Sequence, residues 1–140
     1  MVMPVERFSS GGIYEDEVGY SRVVVASGYG GHTGWTAGTT AMVNGVVAHP
    51  GDPLGQALVA FQAALFALER AGFSRADTVQ TRMYVVDVAA HADAVGHAHS
   101  QLFGAVRPVA TMVGVSALVH PEMLVEVEVV AWRPEDDSAA

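Results

Sequence analysis

The sequence predicts a two-layer domain in which two helices cover one face of a single β-sheet. Residues 124–131 alternate between two sets of side chains, residues 54–68 repeat apolar side chains at helical spacing, and the segments follow the order strand, strand, helix, strand, helix, strand, strand. Two helices are too few to cover both faces of a sheet, so we expect one face to carry both. The other face is then open to water or to another subunit.

The first two strands are predicted on either side of a glycine-rich turn. Ser21 to Ala26 is rich in β-branched residues, and Thr33 to Gly38 can pair back with it as a hairpin. The glycines between them indicate a turn, since no Gly-Lys-Ser/Thr follows as in a phosphate-binding loop. Residues 1–19 show no clear period.

The first helix is predicted to begin at Asp52-Pro53 and to end at Gly72. Aspartate is a suitable N-cap, proline fits the first helical position, and glycine is typical of a helix end. Between these residues an apolar stripe recurs in steps of four and three, at Leu54, Leu58, Phe61, Leu65 and Leu68.

The third strand is predicted over Thr78 to Asp87 and the second helix over Ala89 to Phe103. Alternation in this strand puts one set of residues on one face, namely Val79, Thr81, Met83 and Val85. The second helix is expected to bury Val95, His99, Leu102 and Phe103. The last two strands are predicted over Ala110 to Ala117 and Met123 to Trp132.

Two carboxylates, Glu126 and Glu128, mark the face of the sheet that is expected to be open. They alternate with apolar residues on one side of the last strand, and paired carboxylates are costly in a dry core. This face is therefore wet, paired with a cation, or packed against another subunit. By the same alternation Arg82 and Tyr84 belong to it.

The composition narrows the class of protein. With 140 residues, 51% hydrophobic residues and a mean hydropathy of +0.30, we expect one domain, and no apolar run reaches the ~18 residues of a membrane span. The net charge is −8 with seven arginines and no lysine, which disfavours a nucleic-acid partner and excludes Schiff-base chemistry on lysine. Cysteine is absent, so the chain has neither a thiolate nucleophile nor a disulfide. Because residues 1–8 lack a signal-peptide pattern, we expect a cytoplasmic protein.

No cofactor or metal site is predicted. His97 and His99 lie two apart on a predicted helix and point in different directions, and no spacing joins the other histidines. The acidic stretch at 134–140 reads as a solvated tail.

An ordered set of short motifs resembles the Rid family (reactive-intermediate deaminases, also called the YjgF family). The matching segments are Val18-Gly19-Tyr20-Ser21, Trp35-Thr36-Ala37-Gly38-Thr39, Asp52-Pro53 through Ala71-Gly72, Met83-Tyr84-Val85-Val86-Asp87, and the C-terminal block from Arg107-Pro108 to Ala131. The resemblance implies an α+β fold like that of chorismate mutase, and a homotrimer with small-molecule sites between subunits. It places an N-terminal segment at 1–17, one domain at 18–133 and the tail at 134–140.

The resemblance also implies an activity, the hydrolysis of reactive enamines and imines to a 2-keto acid and ammonia. By position, Glu126 matches the family's water-activating glutamate. Two residues that help to line the family's cleft are matched by Tyr20 and Gly38. The family's carboxylate-binding arginine is replaced by Ala110, and its nearby cysteine by Met112. Trp35, Arg82 and Arg107 are further candidates to contact a ligand.

The missing arginine leaves the function open between alternatives. Without it the substrate is not expected to be a simple amino-acid-derived imine, unless Arg107 or an arginine of another subunit replaces it. Glu126 is either a catalytic base or one half of an ion pair at a subunit interface with Arg82 or Arg107. A metabolite-binding trimer without catalysis is the second reading, and an endoribonuclease or translation inhibitor is a weaker third.

Overall fold

A computed structural model, which describes residues 4–135, contains a six-stranded mixed β-sheet. The described residues form eight strands and two α-helices, in this order: β1 Val5–Phe8, β2 Val23–Gly28, β3 Gly31–Thr36, β4 Met42–Val43, β5 Val46–Val47, α1 Pro53–Arg70, β6 Thr78–Val86, α2 Val88–Phe103, β7 Val109–Val115 and β8 Val125–Pro134. A π-helical turn lies at Glu15–Gly19, before β2, and a 3₁₀ turn lies at Arg75–Asp77, between α1 and β6.

The order of strands in the sheet is β1-β2-β3-β8-β6-β7, so the last strand of the chain lies near its centre. Only β6 and β7 run parallel, and the other neighbours are antiparallel. The short strands β4 and β5 form a separate hairpin. This mixed sheet with its two main helices is the predicted α+β architecture. Strand β1, which pairs with β2, lies in the stretch for which the sequence showed no period.

The predicted first hairpin is present, but each of its strands is displaced by two residues. The turn falls at Tyr29-Gly30, where both residues have positive φ values of 55° and 83°. Such a two-residue turn matches the twist of the strands that it joins. The register therefore pairs Gly28 with Gly31.

Helix α1 begins and ends where its capping residues predict. The Asp52 carboxylate accepts a hydrogen bond from the Gly55 amide at 3.0 Å, and Pro53 is the first helical residue. At the other end the Phe73 amide donates to the Leu68 carbonyl and the Gly72 amide to the Glu69 carbonyl. This is a Schellman motif, and Gly72 provides the positive φ of 99° that it needs.

The core lies between the two helices and one face of the sheet, which we call the helix face. Its largest members are Phe61 of α1 and Phe103 of α2, whose rings meet edge to face at 5.2 Å between centroids. On α2, Val95 and Ala98 are fully buried, whereas His99 and Leu102 are partly buried at the edge of the core. The predicted buried side of this helix is therefore confirmed.

Strand β8 alternates as predicted between the helix face and the opposite side, which we call the open face. Every second residue from Val125 to Ala131 is buried, and Glu126 and Glu128 between them are only partly covered. The alternation of β6 is confirmed from Thr81 to Val85, but the prediction for Val79 is wrong. The register slips between Thr78 and Gln80, and this bulge leaves Val79 44% exposed.

Within residues 4–135 no helix is long and apolar enough to cross a membrane. Most of the predicted acidic tail, residues 136–140, lies outside the described residues.

Candidate functional site

Strand pairing at the centre of the sheet brings four polar side chains together on the open face. Tyr84 of β6 lies opposite Glu126 of β8, and Arg82 lies opposite Glu128. Directly opposed residues of neighbouring strands share a face, so the predicted grouping is confirmed. Arg82 is exposed and makes no ion pair with any carboxylate in the described part of the chain.

A pocket of about 330 Å³ opens around the two glutamates. Its walls are formed by Gly38, Tyr84, Val115, Leu118, Glu126 and Glu128. The pocket thus combines two carboxylates and a phenol with aliphatic walls, and this volume suits a small organic molecule.

Gly38 forms the wall nearest to Glu126, where backbone and carboxylate pack without room for a side chain. A Cβ at this position would lie 3.0 Å from the carboxyl carbon of Glu126 and closer still to Oε2. The next residue fixes this arrangement, because the Thr39 amide donates to the Val127 carbonyl and the Val127 amide donates to the Thr39 carbonyl, both at 2.9 Å. A side chain at position 38 therefore fits only if the Glu126 carboxylate moves away.

Tyr84 and Glu128 form a hydrogen-bonded pair on the second wall. The Tyr84 hydroxyl donates to Oε1 of Glu128 at 2.5 Å. This hydrogen bond, together with burial and the charge of Glu128, raises the pKa of Tyr84 above its usual value. The phenol therefore stays protonated at neutral pH, and it holds one oxygen of Glu128 in place.

The pKa of Glu126 is raised above the ordinary value of a glutamate. Burial is the main cause, and the neighbouring charge of Glu128 adds to it, whereas the positive charge of Arg22 acts in the opposite direction. A carboxylate of raised pKa in a pocket is a candidate to accept and return a proton.

Arg22 is a residue that the sequence analysis missed. Its Nη1 donates to the Gly38 carbonyl at 3.1 Å and to the Thr39 hydroxyl at 3.2 Å, and its Nη2 donates to the Tyr20 hydroxyl at 3.3 Å. The available signal was alternation: Arg22 precedes β2 by one residue and shares the parity of Val24, which pairs with Trp35. Tyr84, Glu128, Val115 and Leu118 also line the pocket but were not assigned to the site. Alternation had placed Tyr84 and Glu128 on the open face, whereas the sequence does not show that the end of β7 and the residues after it close the pocket.

The structure brings only part of the predicted site together. Glu126 and Gly38 line the pocket, and Tyr20 is joined to Gly38 through Arg22. Trp35 is an exposed residue of β3 that pairs with Val130 and so lies on the open face. For these residues a role in binding remains a prediction.

Two other predicted residues lie on the helix face, away from the pocket. Ala110 pairs with the buried Thr81 and Met112 with the buried Met83, so both belong to the helix face. The adjacent Gly114 confirms the parity of the strand, since a Cβ there would contact Val88 of α2.

Arg107, the remaining candidate for binding an anion, is exposed in the connection before β7. It has a φ of 63°, and its amide donates to the Phe103 carbonyl. Within one chain neither the family's arginine position nor Arg107 supplies a cation to the pocket. In the described range no group of three potential metal ligands comes together.

Comparisons with known proteins give matches over nearly the whole chain. Residues 7–133 match the model of the family described as Endoribonuclease L-PSP. The chain is 37% identical over 134 residues to SCO2049, an uncharacterized protein of Streptomyces coelicolor, and the alignment covers 96% of both chains.

Solved structures share the fold. Rv2704 of Mycobacterium tuberculosis, described as a member of the highly conserved YjgF/YER057c/UK114 family, is 39% identical with a TM-score of 0.79 and covers 92% of this chain and 99% of its own. A probable translation initiation inhibitor from Rhodopseudomonas palustris is 22% identical with a TM-score of 0.74, and the match covers 96% of this chain and 98% of that protein. The second similarity shows the fold alone.

Proposed function

The chain belongs to the endoribonuclease L-PSP family, which includes the YjgF/YER057c/UK114 proteins, and from this premise we propose that it hydrolyses an imine or enamine without a carboxylate. The reaction takes place in the pocket on the open face, with Glu126 as the group that moves the proton. The observation that carries the proposal is the raised pKa of Glu126 inside a pocket that a small molecule can enter.

The chemistry needs one group that exchanges a proton with water. The C=N nitrogen carries a proton when the reaction begins. Glu126 accepts a proton from water as the water oxygen bonds to the carbon, and the π electron pair of the C=N bond moves to the nitrogen. Glu126 then gives its proton to the nitrogen of the resulting carbinolamine. As the C–N bond breaks and ammonia leaves, the hydroxyl oxygen forms the C=O bond of an aldehyde or ketone and its proton passes to the ammonia, so that one water is consumed and the carboxylate is restored.

The residues of the pocket argue against a substrate carboxylate. Two glutamates line it, Ala110 has only a methyl group and lies on the helix face, and the nearby Arg22 already donates to three acceptors. A hydrogen bond to a charged group contributes about 1.5–3 kcal/mol, so a bound carboxylate without one loses roughly tenfold to a hundredfold in affinity. A neutral or protonated C=N group meets no such penalty.

We also propose that the chain assembles as a homotrimer through its open face. Neither α1 nor α2 covers this face, and it carries two tryptophans, Trp35 and Trp132, each 43% exposed. Apolar surface of this kind is typical of a subunit contact. Light scattering should give three chains of 14.6 kDa each, and a stable monomer at micromolar concentration would contradict the assembly.

The proposed activity is tested with two imines that differ only in a carboxylate. A flavin-dependent amine oxidase acting on benzylamine releases benzaldimine, and an amino-acid oxidase acting on phenylglycine releases the matching imino acid. Formation of the aldehyde or keto acid is followed with and without the protein. We expect faster hydrolysis of benzaldimine, loss of the acceleration in Glu126→Gln, and at least a tenfold weaker effect on the imino acid.

Each outcome separates the candidate functions. Equal acceleration of both imines would contradict the substrate class and would point to an arginine from another subunit, such as Arg107. Acceleration that survives Glu126→Gln would contradict the role of the glutamate. Binding of an imine analogue without any acceleration would favour a metabolite-binding trimer. The endoribonuclease named by the family description is not favoured, because a chain with net charge −8 and no lysine offers little to a phosphate backbone.

A further inference from the structure

We propose that Arg22 is a positioning residue of the pocket, which holds the Gly38–Thr39 wall against Glu126 and joins it to the N-terminal segment. The inference rests on the proposed role of Glu126 and assigns a function to a residue that does not itself line the pocket. It is carried by the contacts of one guanidinium group with four residues, which lie in three different parts of the chain.

The first two contacts fix the wall. Both go through Nη1, to the Gly38 carbonyl and to the Thr39 hydroxyl. Thr39 in turn exchanges two backbone hydrogen bonds with Val127, the neighbour of Glu126 in β8. A chain of direct contacts therefore leads from Arg22 to the backbone that carries the proposed catalytic carboxylate.

The other two contacts fix Arg22 itself. Nη2 donates to the Tyr20 hydroxyl, and the guanidinium carbon lies 5.5 Å from the centroid of the Tyr20 ring. Nε lies 3.7 Å from Oε2 of Glu15, a buried carboxylate that also accepts hydrogen bonds from Ser10. Together with the two bonds from Nη1, these contacts use all three nitrogens of the planar guanidinium, an arrangement that the single ammonium group of a lysine cannot reproduce.

The same guanidinium adds its charge to the surroundings of Glu126. The titratable and charged groups that face Glu126 are Glu128 on its own strand, Tyr84 and Arg82 on β6, and Arg22 before β2. Burial and Glu128 raise the pKa of Glu126, and Arg22 lowers it. Loss of the charge at position 22 should therefore raise this pKa further, whereas a lysine should largely preserve it.

The test separates position from charge with two variants and two readouts that need no substrate. Arg22→Gln removes both the fork and the charge, and Arg22→Lys removes only the fork. The matched control is Arg75→Gln, an exposed arginine of the 3₁₀ turn. The pKa of Glu126 is followed by ¹³C NMR of labelled glutamate carboxyls, with the signal assigned by its absence in Glu126→Gln. Hydrogen exchange of the Thr39 and Val127 amides reports on the wall.

We expect the pKa of Glu126 to rise in Arg22→Gln and to stay near the wild-type value in Arg22→Lys and Arg75→Gln. We expect exchange of the two amides to accelerate by up to about tenfold in both Arg22 variants, because each variant loses hydrogen bonds that hold the wall. An unchanged pKa in Arg22→Gln would overturn the electrostatic part, and unchanged exchange in both variants would overturn the positioning part. If Arg22→Gln does not fold, amide exchange in Arg22→Lys decides the proposal. If no imine is hydrolysed by the wild type, the proposed function fails while both readouts still decide the role of Arg22.

Discussion

Substitution of Gly38 by alanine should displace the Glu126 carboxylate without a large change in the stability of the fold. The new Cβ would lie 3.0 Å from the carboxyl carbon and nearer to Oε2, and its three nearest atoms all belong to the Glu126 side chain. To recover ordinary contact distances of about 3.5 Å, the carboxylate must move by on the order of 1 Å. It is the free end of a flexible side chain, so the movement itself is cheap.

The backbone at Gly38 accommodates alanine. Its φ is not among the positive values that favour glycine. A glycine-to-alanine change at such a position raises stability by about 0.4–1 kcal/mol through the unfolded state, which offsets the cost of moving Glu126. We therefore expect the free energy of unfolding to stay within about 1 kcal/mol of the wild type.

The effect on turnover should be much larger than the effect on stability. A misplacement of about 1 Å in a reacting group costs on the order of a hundredfold in rate. The assay is benzaldimine hydrolysis together with urea unfolding of the same samples at one protein concentration. Gly96→Ala is the matched control, because a Cβ on this residue of α2 meets nothing within 4 Å and should leave turnover unchanged.

Two results would refute this reasoning. Turnover of Gly38→Ala within threefold of the wild type would mean that the reaction tolerates displacement of the Glu126 carboxylate by about 1 Å, against the expected hundredfold loss. A loss of several kcal/mol in stability would mean that the wall cannot accept a methyl group, contrary to the described contacts.

Three further changes test the energetics of the site and the core. Tyr84→Phe removes the hydrogen bond to Glu128 and should lower the free energy of unfolding by about 1 kcal/mol, measured in urea; no loss would mean that water replaces the phenol at no cost. Glu126→Gln should stabilise the protein at neutral pH. The pKa of Glu126 in the folded state is raised above the unfolded value of about 4.3, so protonation of this glutamate favours the native state at low pH. This contribution to stability is lost as pH rises through the folded pKa, and glutamine does not lose it. Thermal melts over a pH series should show the gain vanishing below about pH 4, and a gain that persists there would refute the electrostatic cause. Phe61→Ala should cost about 3–5 kcal/mol in urea unfolding, whereas Phe66→Ala on the same helix, 60% exposed in the wild type, should stay within about 0.5 kcal/mol; similar losses in both would contradict the assigned core.

Patterns within one element were predicted well because they depend on neighbours in the chain. Asp52, Pro53 and Gly72 set the ends of α1 through hydrogen bonds that span only a few residues. The alternation from Leu124 to Ala131 told which residues of β8 face the core, because successive side chains of a strand point to opposite sides.

Relations between elements could not be obtained in this way. Val79 was misassigned because a bulge shifts the register between β6 and β8, and a shift of one residue reverses the face on which a side chain lies. Ala110 and Met112 were grouped with Glu126 by their place in a motif, yet the parallel register of β7 against β6 puts them on the helix face.

The sequence by itself therefore determined the elements, the helix caps and the two faces of β8, since each follows from local spacing and from the geometry of a single strand or helix. Only the tertiary structure decided that Arg22 meets Gly38, that Tyr84 holds Glu128, and that Val115 and Leu118 close the pocket. These contacts join residues far apart in the chain. The register of the strands and the path of the loops decide which residues meet. Burial of the whole core sets both together, and no short segment encodes them.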